Sequence, residues 1–393
     1  MARLLVVDPG DGARVPFLRG ILTRSLQEAG LPFESAYDIA TTVRGDIAGR
    51  AEITTDELRA LVSKRLQAFG REVVQRYRSP VRAEPVVLVR LSDGQTAPYS
   101  RGRHRQSLEA CGIAPEAATR VSAAMHVDLV AEGVTELSLA DVKRRTYERL
   151  QRDLGDDAAR RYLVWEDFRH GDRPLVLLIG GTTGTGKSTV ATRTAHALDI
   201  VRTQSTDMLR EVMRMMVPER LVPALHTSSF RAWEALPATG QGAPGEEALI
   251  EGYVRQAELL AVAGEAVLRR AVTERVSVIL EGVHAHPTFL ADAAATDNDA
   301  IVVRVMLAVL RPNELERRIR GRGRKARARR AKRYLEHFEG IWRLQSHLLA
   351  EAEASGVPII VNDDLEHAAR EVVEVVMQAL LAAFDSRPED VFA

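Results

Sequence analysis

The stretch Leu175-Val176-Leu177-Leu178-Ile179-Gly180-Gly181-Thr182-Thr183-Gly184-Thr185-Gly186-Lys187-Ser188-Thr189-Val190 constrains this chain most. A short apolar run feeding Gly181-x-x-x-x-Gly186-Lys187-Ser188 and then a helical pattern predicts a buried strand, a phosphate loop and a helix, in that order. Gly181, Gly184 and Gly186 let backbone N–H groups turn inward without a Cβ in the way. The helix opening at Lys187 adds its positive dipole end, so a polyphosphate is wrapped by donors from Gly181, Thr182, Thr183, Gly184, Thr185, Gly186, Lys187, Ser188 and Thr189. Lys187 is placed to reach the β- and γ-phosphates of ATP, and the Ser188 hydroxyl to serve Mg²⁺.

The chain has 393 residues, of which 46% are hydrophobic, enough to bury a large core in two or three domains. Lys+Arg and Asp+Glu both number 54, so no global field argues for nucleic acid or an anionic membrane. The one cysteine, Cys111, sits among Leu108, Ala110 and Ile113 and reads as a packed small side chain in a reducing compartment. The longest apolar runs, such as Leu175 to Ile179, are too short to span a bilayer, and no cationic-then-apolar leader opens the chain. A cytoplasmic protein is expected.

Residues 1–170 repeat themselves. An apolar strand (Leu4 to Val7), Asp11-Gly12, Pro16-Phe17-x-Arg19-Gly20, Ser25-Leu26 and Ala29-Gly30 return as Val86 to Leu91, Asp93-Gly94, Pro98-Tyr99-x-Arg101-Gly102, Ser107-Leu108 and Cys111-Gly112. Asp11 and Asp93, like Gly30 and Gly112, stand 82 positions apart. Further on, Leu66 answers to Leu150 and Arg76-Tyr77 to Arg161-Tyr162, with a small drift. Each copy predicts a hairpin closed by an Asp-Gly turn and then several helices, the third opened by Thr54-Thr55-x-Glu57 or Ser138-x-x-Asp141. The join falls near Ser79-Pro80. These motifs resemble the ATP-cone family over roughly residues 3–79 and 85–163, and the resemblance implies regulatory nucleotide binding. Basic residues before the Asp-Gly turn carry that binding in the family. Here the first copy has Asp8-Pro9-Gly10 in their place and the second keeps Arg90, with Arg19, Arg101 and Arg103 as substitutes. Packing or homo-oligomerisation through the cones is the competing reading.

Downstream, Asp199 to Gln204 reads as a second strand that delivers Asp207 to the carboxyl end of the sheet, where open α/β folds place ligands. A helix from there puts Arg210 and Arg214 on one face. Asp207 suits a base for a substrate hydroxyl or an orienter of Mg²⁺, with a helix cap as the plain alternative; Arg210 suits an anion clamp. His226, Ser228 and Ser229 form a polar cluster suited to a loop or to an anion. Residues 238–245 are rich in Gly and Pro. Val276 to His284 predicts a central strand that ends in Glu281, in reach of the Mg²⁺ shell, with His284 either structural or a donor to substrate. Ile301 to Leu307 and Val357 to Asn362 complete a five-stranded parallel sheet flanked by helices.

Between the last two strands, residues 311–333 crowd arginines together with Glu314 and Glu316 as the only acids. Aromatics interleaved for single-stranded nucleic acid are missing, a solvated helix face is the plain alternative, and the place after the fourth strand favours a kinase lid, with Arg317, Arg320, Arg322 and Arg324 as its candidate residues. Three domains follow: 1–80, 84–168 and 171–393.

The second half resembles the 2-phosphoglycerate kinase family. The matching stretches are the loop from Gly180 to Ser188, Ser205-Thr206-Asp207-x-x-Arg210-Glu211-x-x-Arg214, Leu225-His226-x-Ser228-Ser229-Phe230-x-Ala232-Trp233, Glu281-Gly282-Val283-His284 and Tyr334-Leu335-x-His337-Phe338. The resemblance implies an α/β P-loop kinase using ATP and Mg²⁺ on a small molecule, and transfer of the γ-phosphoryl group to 2-phosphoglycerate to give 2,3-bisphosphoglycerate. The neutral charge balance and the short apolar runs argue against nucleic acid and membrane as partners. A kinase of another phosphorylated or carboxylated metabolite and a nucleotide-sensing regulator are the alternatives.

Overall fold

The computed structural model describes residues 4–7, 14–78, 87–91, 93–237, 245–290, 299–321 and 328–392, without the side chains of 328–331. Asp8 to Gly12, the join at Ser79-Pro80, Ser92, residues 238–244, Arg322 and Arg324 therefore lie outside the described residues. The chain divides into two compact units, Met1–Leu88 and Val89–Ala393.

In the first unit, β1 (Leu5–Val7) and β2 (Arg14–Pro16) form an antiparallel hairpin, and β3 (Glu52–Thr54) runs parallel beside β1. Helices Arg19–Glu28, Phe33–Asp46, Thr55–Leu66 and Arg71–Arg78 close over a core that includes Leu26, Ala36, Val43, Ile47 and Leu66. The third helix starts where the sequence marks it. Thr54 Oγ1 accepts from Glu57 N at 3.2 Å while the Glu57 carboxylate accepts from Thr54 N at 3.1 Å, a closed capping box.

The second unit opens with the same plan. β4 (Leu88–Arg90), β5 (Thr96–Pro98) and β6 (Glu136–Ser138) form a sheet in the order β5-β4-β6, with helices Arg101–Ala110, Pro115–Ala131, Leu139–Leu154 and Asp156–His170. Gly94 takes φ 81° in the turn after β4, and Ser138 and Asp141 repeat the capping box. Cys111 is buried, and burial raises its thiol pKa well above the ordinary value, as suits a packing residue.

The large sheet consists of β7 (Leu175–Gly180), β8 (Arg202–Ser205), β9 (Val278–Glu281), β10 (Ile301–Ala308) and β11 (Ile359–Val361). The order is β11-β10-β7-β9-β8 and every pairing is parallel. All six residues of β7 are buried, which explains its unbroken apolar run: the strand is central and covered on both faces. β8, at an edge, carries Arg202, Thr203 and Gln204 and is partly exposed.

The second module shares a core with this sheet. Leu108, Cys111, Ile113, Val121, Leu150 and Tyr162 belong to the same apolar cluster as Leu175, Leu177, Ile179, Val305 and Val372. Polar contacts reinforce the join. Arg161 donates to both Glu374 oxygens at 2.6 and 2.8 Å, and Gln106 Nε2 donates to the His196 carbonyl at 3.0 Å. Sequence periodicity separates 84–168 from 171–393; packing joins them.

Candidate active site

Gly181, Gly184 and Gly186 adopt φ of 133°, 98° and 92°, the region in which only glycine is unstrained, so the loop curls between β7 and the helix Lys187–Ala197. A Cβ on Gly184 would lie 2.8 Å from Leu315 Cδ1 and 2.9 Å from Ile319 Cγ1, so the helix Pro312–Gly321 packs directly on the loop. A Cβ on Gly186 would collide with Asn362 Nδ2. The loop is also pinned from within. Thr185 Oγ1 and Lys187 Nζ both donate to the Thr182 carbonyl, at 2.9 and 2.8 Å. Asn362 Nδ2, beyond the end of β11, donates to the Thr185 carbonyl at 2.7 Å. Thr182, Thr185 and Lys187 are buried, Thr183 is half-buried, and Ser188 and Thr189 are exposed. The Thr182 hydroxyl is buried and makes no hydrogen bond within the protein, a donor held ready inside the loop.

Ser188 Oγ donates to Glu281 Oε1 at 2.8 Å, which brings together two residues 93 positions apart. Parallel pairing of β7 with β9, Ile179 opposite Glu281, sets this adjacency. A hydroxyl and a carboxylate side by side are hard oxygen donors of the kind that suit Mg²⁺ carried on phosphate. Among the described residues no cluster of three or more His, Cys, Asp or Glu is built to hold a metal by itself.

Asp207 lies in the first turn of the helix Thr206–Met216 and is not its cap. Ser205 fills that role, its hydroxyl accepting from Met208 N at 3.0 Å. The Asp207 side chain is 68% exposed and 3.6 Å from Arg210. Arg210 is largely buried and donates to the Thr227 carbonyl, while its Nε is buried without a hydrogen-bond partner. Arg214 turns to Glu211 at 2.5 Å, and His226 bonds the Val217 carbonyl at 2.9 Å. Ser228 is half-buried and Ser229 buried beside Phe230, so the cluster packs as a compact 3₁₀ segment over Ser229–Ala235.

His284 stands apart from an acceptor contact. It is fully buried, one ring nitrogen 3.2 Å from Thr206 Oγ1 and the other 2.8 Å from Gln256 Oε1, and burial depresses its pKa to about 3. Arg317 and Arg320 are 78% and 67% exposed and pair with Glu314 and Glu316 on their own helix, so neither is free-standing charge. Two residues that the motifs do not contain, Asn362 and Gln256, brace the site. Each is a buried polar side chain whose partners are remote in sequence.

No protein-family model matches the chain. Three curated relatives are each called 2-phosphoglycerate kinase. That of Pyrococcus furiosus is 34% identical over 281 residues, 72% of this chain and 90% of its own. That of Methanopyrus kandleri is 34% identical over 288 residues, 72% and 85%. That of Methanocaldococcus jannaschii is 32% identical over 283 residues, 72% and 89%. A match of 281 residues exceeds the 223 of residues 171–393, so it takes in part of the chain ahead of 171. Among solved structures, a gluconokinase from Sinorhizobium meliloti 1021 covers 52% of this chain and 93% of its own at 16% identity, with a TM-score of 0.30, too low to carry an argument.

Proposed function

The chain belongs to the 2-phosphoglycerate kinase family, and from that premise we propose that it transfers the γ-phosphoryl group of ATP to 2-phosphoglycerate, giving 2,3-bisphosphoglycerate and ADP. What supports phosphoryl transfer from ATP is the Ser188–Glu281 contact at the mouth of a loop pinned by Lys187 and Asn362, and what supports the acceptor is the likeness to the relatives. Loop amides and Lys187 bind the β- and γ-phosphates, and Ser188 and Glu281 would hold Mg²⁺. The chemistry that Mg²⁺ would supply there is neutralisation of the negative charge that builds on the leaving group. Asp207, exposed at the rim, takes the proton of the acceptor hydroxyl as its oxygen bonds phosphorus and the bond to ADP breaks. Arg210 holds the acceptor's anionic groups, its unpartnered Nε–H being a donor in want of an acceptor. Arg317 and Arg320 lie on the helix that packs against Gly184, close to the loop that receives the phosphates.

The test is coupled ATP consumption by the full chain against 2-phosphoglycerate, 3-phosphoglycerate and other phosphorylated or carboxylated acceptors. We expect 2-phosphoglycerate to be preferred and Lys187→Ala to lose at least about 10³-fold in kcat. A better acceptor in the panel, or turnover retained in Lys187→Ala, would overturn the reading.

One observation favours an added nucleotide site in the second module. A cavity of about 570 Å³ lies between its hairpin and helices, lined among others by Tyr99, Arg103, Lys143, Trp165 and Arg169, and it reaches Ala197 and Asp199 at the end of the loop helix. The Trp165 indole N–H is buried there without a partner. Arg90 instead pairs with Glu136 at 3.1 Å. The Lys187→Ala protein serves as probe: nucleotide that it still binds in equilibrium dialysis, and that Arg103→Ala then removes, supports the site. No binding at millimolar nucleotide sinks it.

A further inference from the structure

Thr206, His284, Gln256 and Arg210 come from the start and middle of one helix, the turn after β9 and the long helix Glu246–Glu274. Their hydrogen bonds close on themselves. The Gln256 carboxamide oxygen lies 2.8 Å from His284 Nε2, so that nitrogen carries the ring proton. His284 Nδ1 then accepts from the Thr206 hydroxyl at 3.2 Å. The Gln256 amide donates to the Ala224 carbonyl and, at 3.2 Å, to the Thr227 carbonyl. Arg210 donates to that same Thr227 carbonyl. Thr206 and Arg210 stand four apart on one helix, which completes the circuit.

Thr206, His284 and Gln256 are all fully buried. Each would cost free energy as an unsatisfied polar group, and an apolar trio would fill the same space more cheaply. Local geometry is shaped to admit them. Gly282 has φ 155°, and a Cβ there would run into the Thr206 side chain, so only glycine allows this approach. The Tyr253 ring lies parallel to the His284 imidazole, with centroids 6.2 Å apart and 13° between planes, and holds it in orientation.

We propose that Thr206, His284 and Gln256 are positioning residues that, partly through the Thr227 carbonyl that accepts from both Gln256 and Arg210, fix the Arg210 guanidinium for the anionic group of the phosphoryl acceptor. This rests on the kinase reading above. His284 touches no substrate in this arrangement; it transmits the position of the β9 turn to Arg210. The neutral state enforced by burial keeps its one-donor, one-acceptor pattern intact.

The experiment compares the full chain with its Thr206→Val, Thr206→Ser and Gln256→Met variants, in the wild-type and Arg210→Ala backgrounds, reading kcat, acceptor KM, ATP KM and melting temperature. Thr206→Val keeps the shape and removes the hydroxyl. We expect it, and Gln256→Met, to lower kcat/KM for the acceptor roughly 10- to 100-fold while ATP KM stays within about twofold. Thr206→Ser restores the wild-type value. In the Arg210→Ala background Thr206→Val adds almost nothing, because the residue it positions is gone. Where Gln256→Met does not fold, Thr206→Val decides. Equal losses toward ATP and acceptor, an undiminished effect in Arg210→Ala, or no effect at all overturns the inference. Wild-type protein that fails to turn over 2-phosphoglycerate overturns the kinase reading itself and this inference with it.

Discussion

Substituting Gly186→Ala tests how the loop is held, because two separable costs meet there. The residue sits at φ 92°, where an L side chain costs about 1–2 kcal/mol. Its new methyl would also displace the Asn362 side chain. That breaks the 2.7 Å bond to the Thr185 carbonyl, and an abandoned buried acceptor costs about 1–3 kcal/mol. Together the loss is about 2–5 kcal/mol. In an Asn362→Ala background the second cost is already present and the methyl has room, so Gly186→Ala there should cost only about 1–2 kcal/mol. All three tryptophans, Trp165, Trp233 and Trp342, lie in the unit Val89–Ala393, so urea unfolding followed by their fluorescence reports this unit. Equal costs in the two backgrounds, within about 0.5 kcal/mol, would refute the claim that Asn362 is what the loop leans on.

Burial depresses the pKa of His104 to about 4, of His284 to about 3 and of His286 to about 4, from an ordinary 6.5. The unfolded chain therefore binds protons that the folded unit refuses, so stability is complete above about pH 6.5 and falls toward pH 4, by up to about 1.4 kcal/mol per pH unit for each histidine; urea midpoints that stay flat between about pH 7 and 5 would refute this. Arg161→Met, which removes two bonds to Glu374 and one of 2.9 Å to Asp157, should cost about 1–3 kcal/mol in the same assay, and a loss under about 0.5 kcal/mol would show that the apolar core alone holds the second module.

What was legible in the sequence is what local chemistry decides. The loop glycines, the all-apolar β7 and the capping boxes at Thr54 and Ser138 announce themselves within a few residues, and the structure has each in place. The strand-end position of Asp207 was legible too, but its freedom from capping was not, since the competing cap, Ser205, differs from it only in backbone geometry. Gln256 and Asn362 gave no signal. One sits in a long helix and one beyond a short strand, and their partners lie 28 and 177 positions away. His284 stood out as a residue, but its role depends on burial, which only the fold supplies. For the arginines of 311–333 the sequence suggests a lid, while the helix gives Arg317, Arg318 and Arg320 partners in Glu314 and Glu316 one turn away.

The two repeats show how one sequence pattern serves two ends. In the first, the left-handed Gly30 leaves a notch filled by the Arg76 guanidinium, 3.1 Å from where a Cβ would stand. In the second, Gly112 leaves the same notch for Arg161 at 3.0 Å, and there Glu374 comes within 3.1 Å as well. A guanidinium already bent over glycine presents its remaining donors outward, so one acidic residue on the helix Leu365–Ala383 suffices to capture it in bidentate fashion. The first copy closes its own core around Leu26 and Leu66, whereas the second shares one with β7 and β10. The Pyrococcus furiosus relative, 90% of which is 281 residues, is about 80 residues shorter than this chain, close to the 82-residue spacing of the repeat. A module that shares the core of the catalytic sheet cannot be dispensed with on the same terms as one that carries its own. The match to the relatives runs past the loop strand into the chain ahead of 171, and the difference in length is that of about one module.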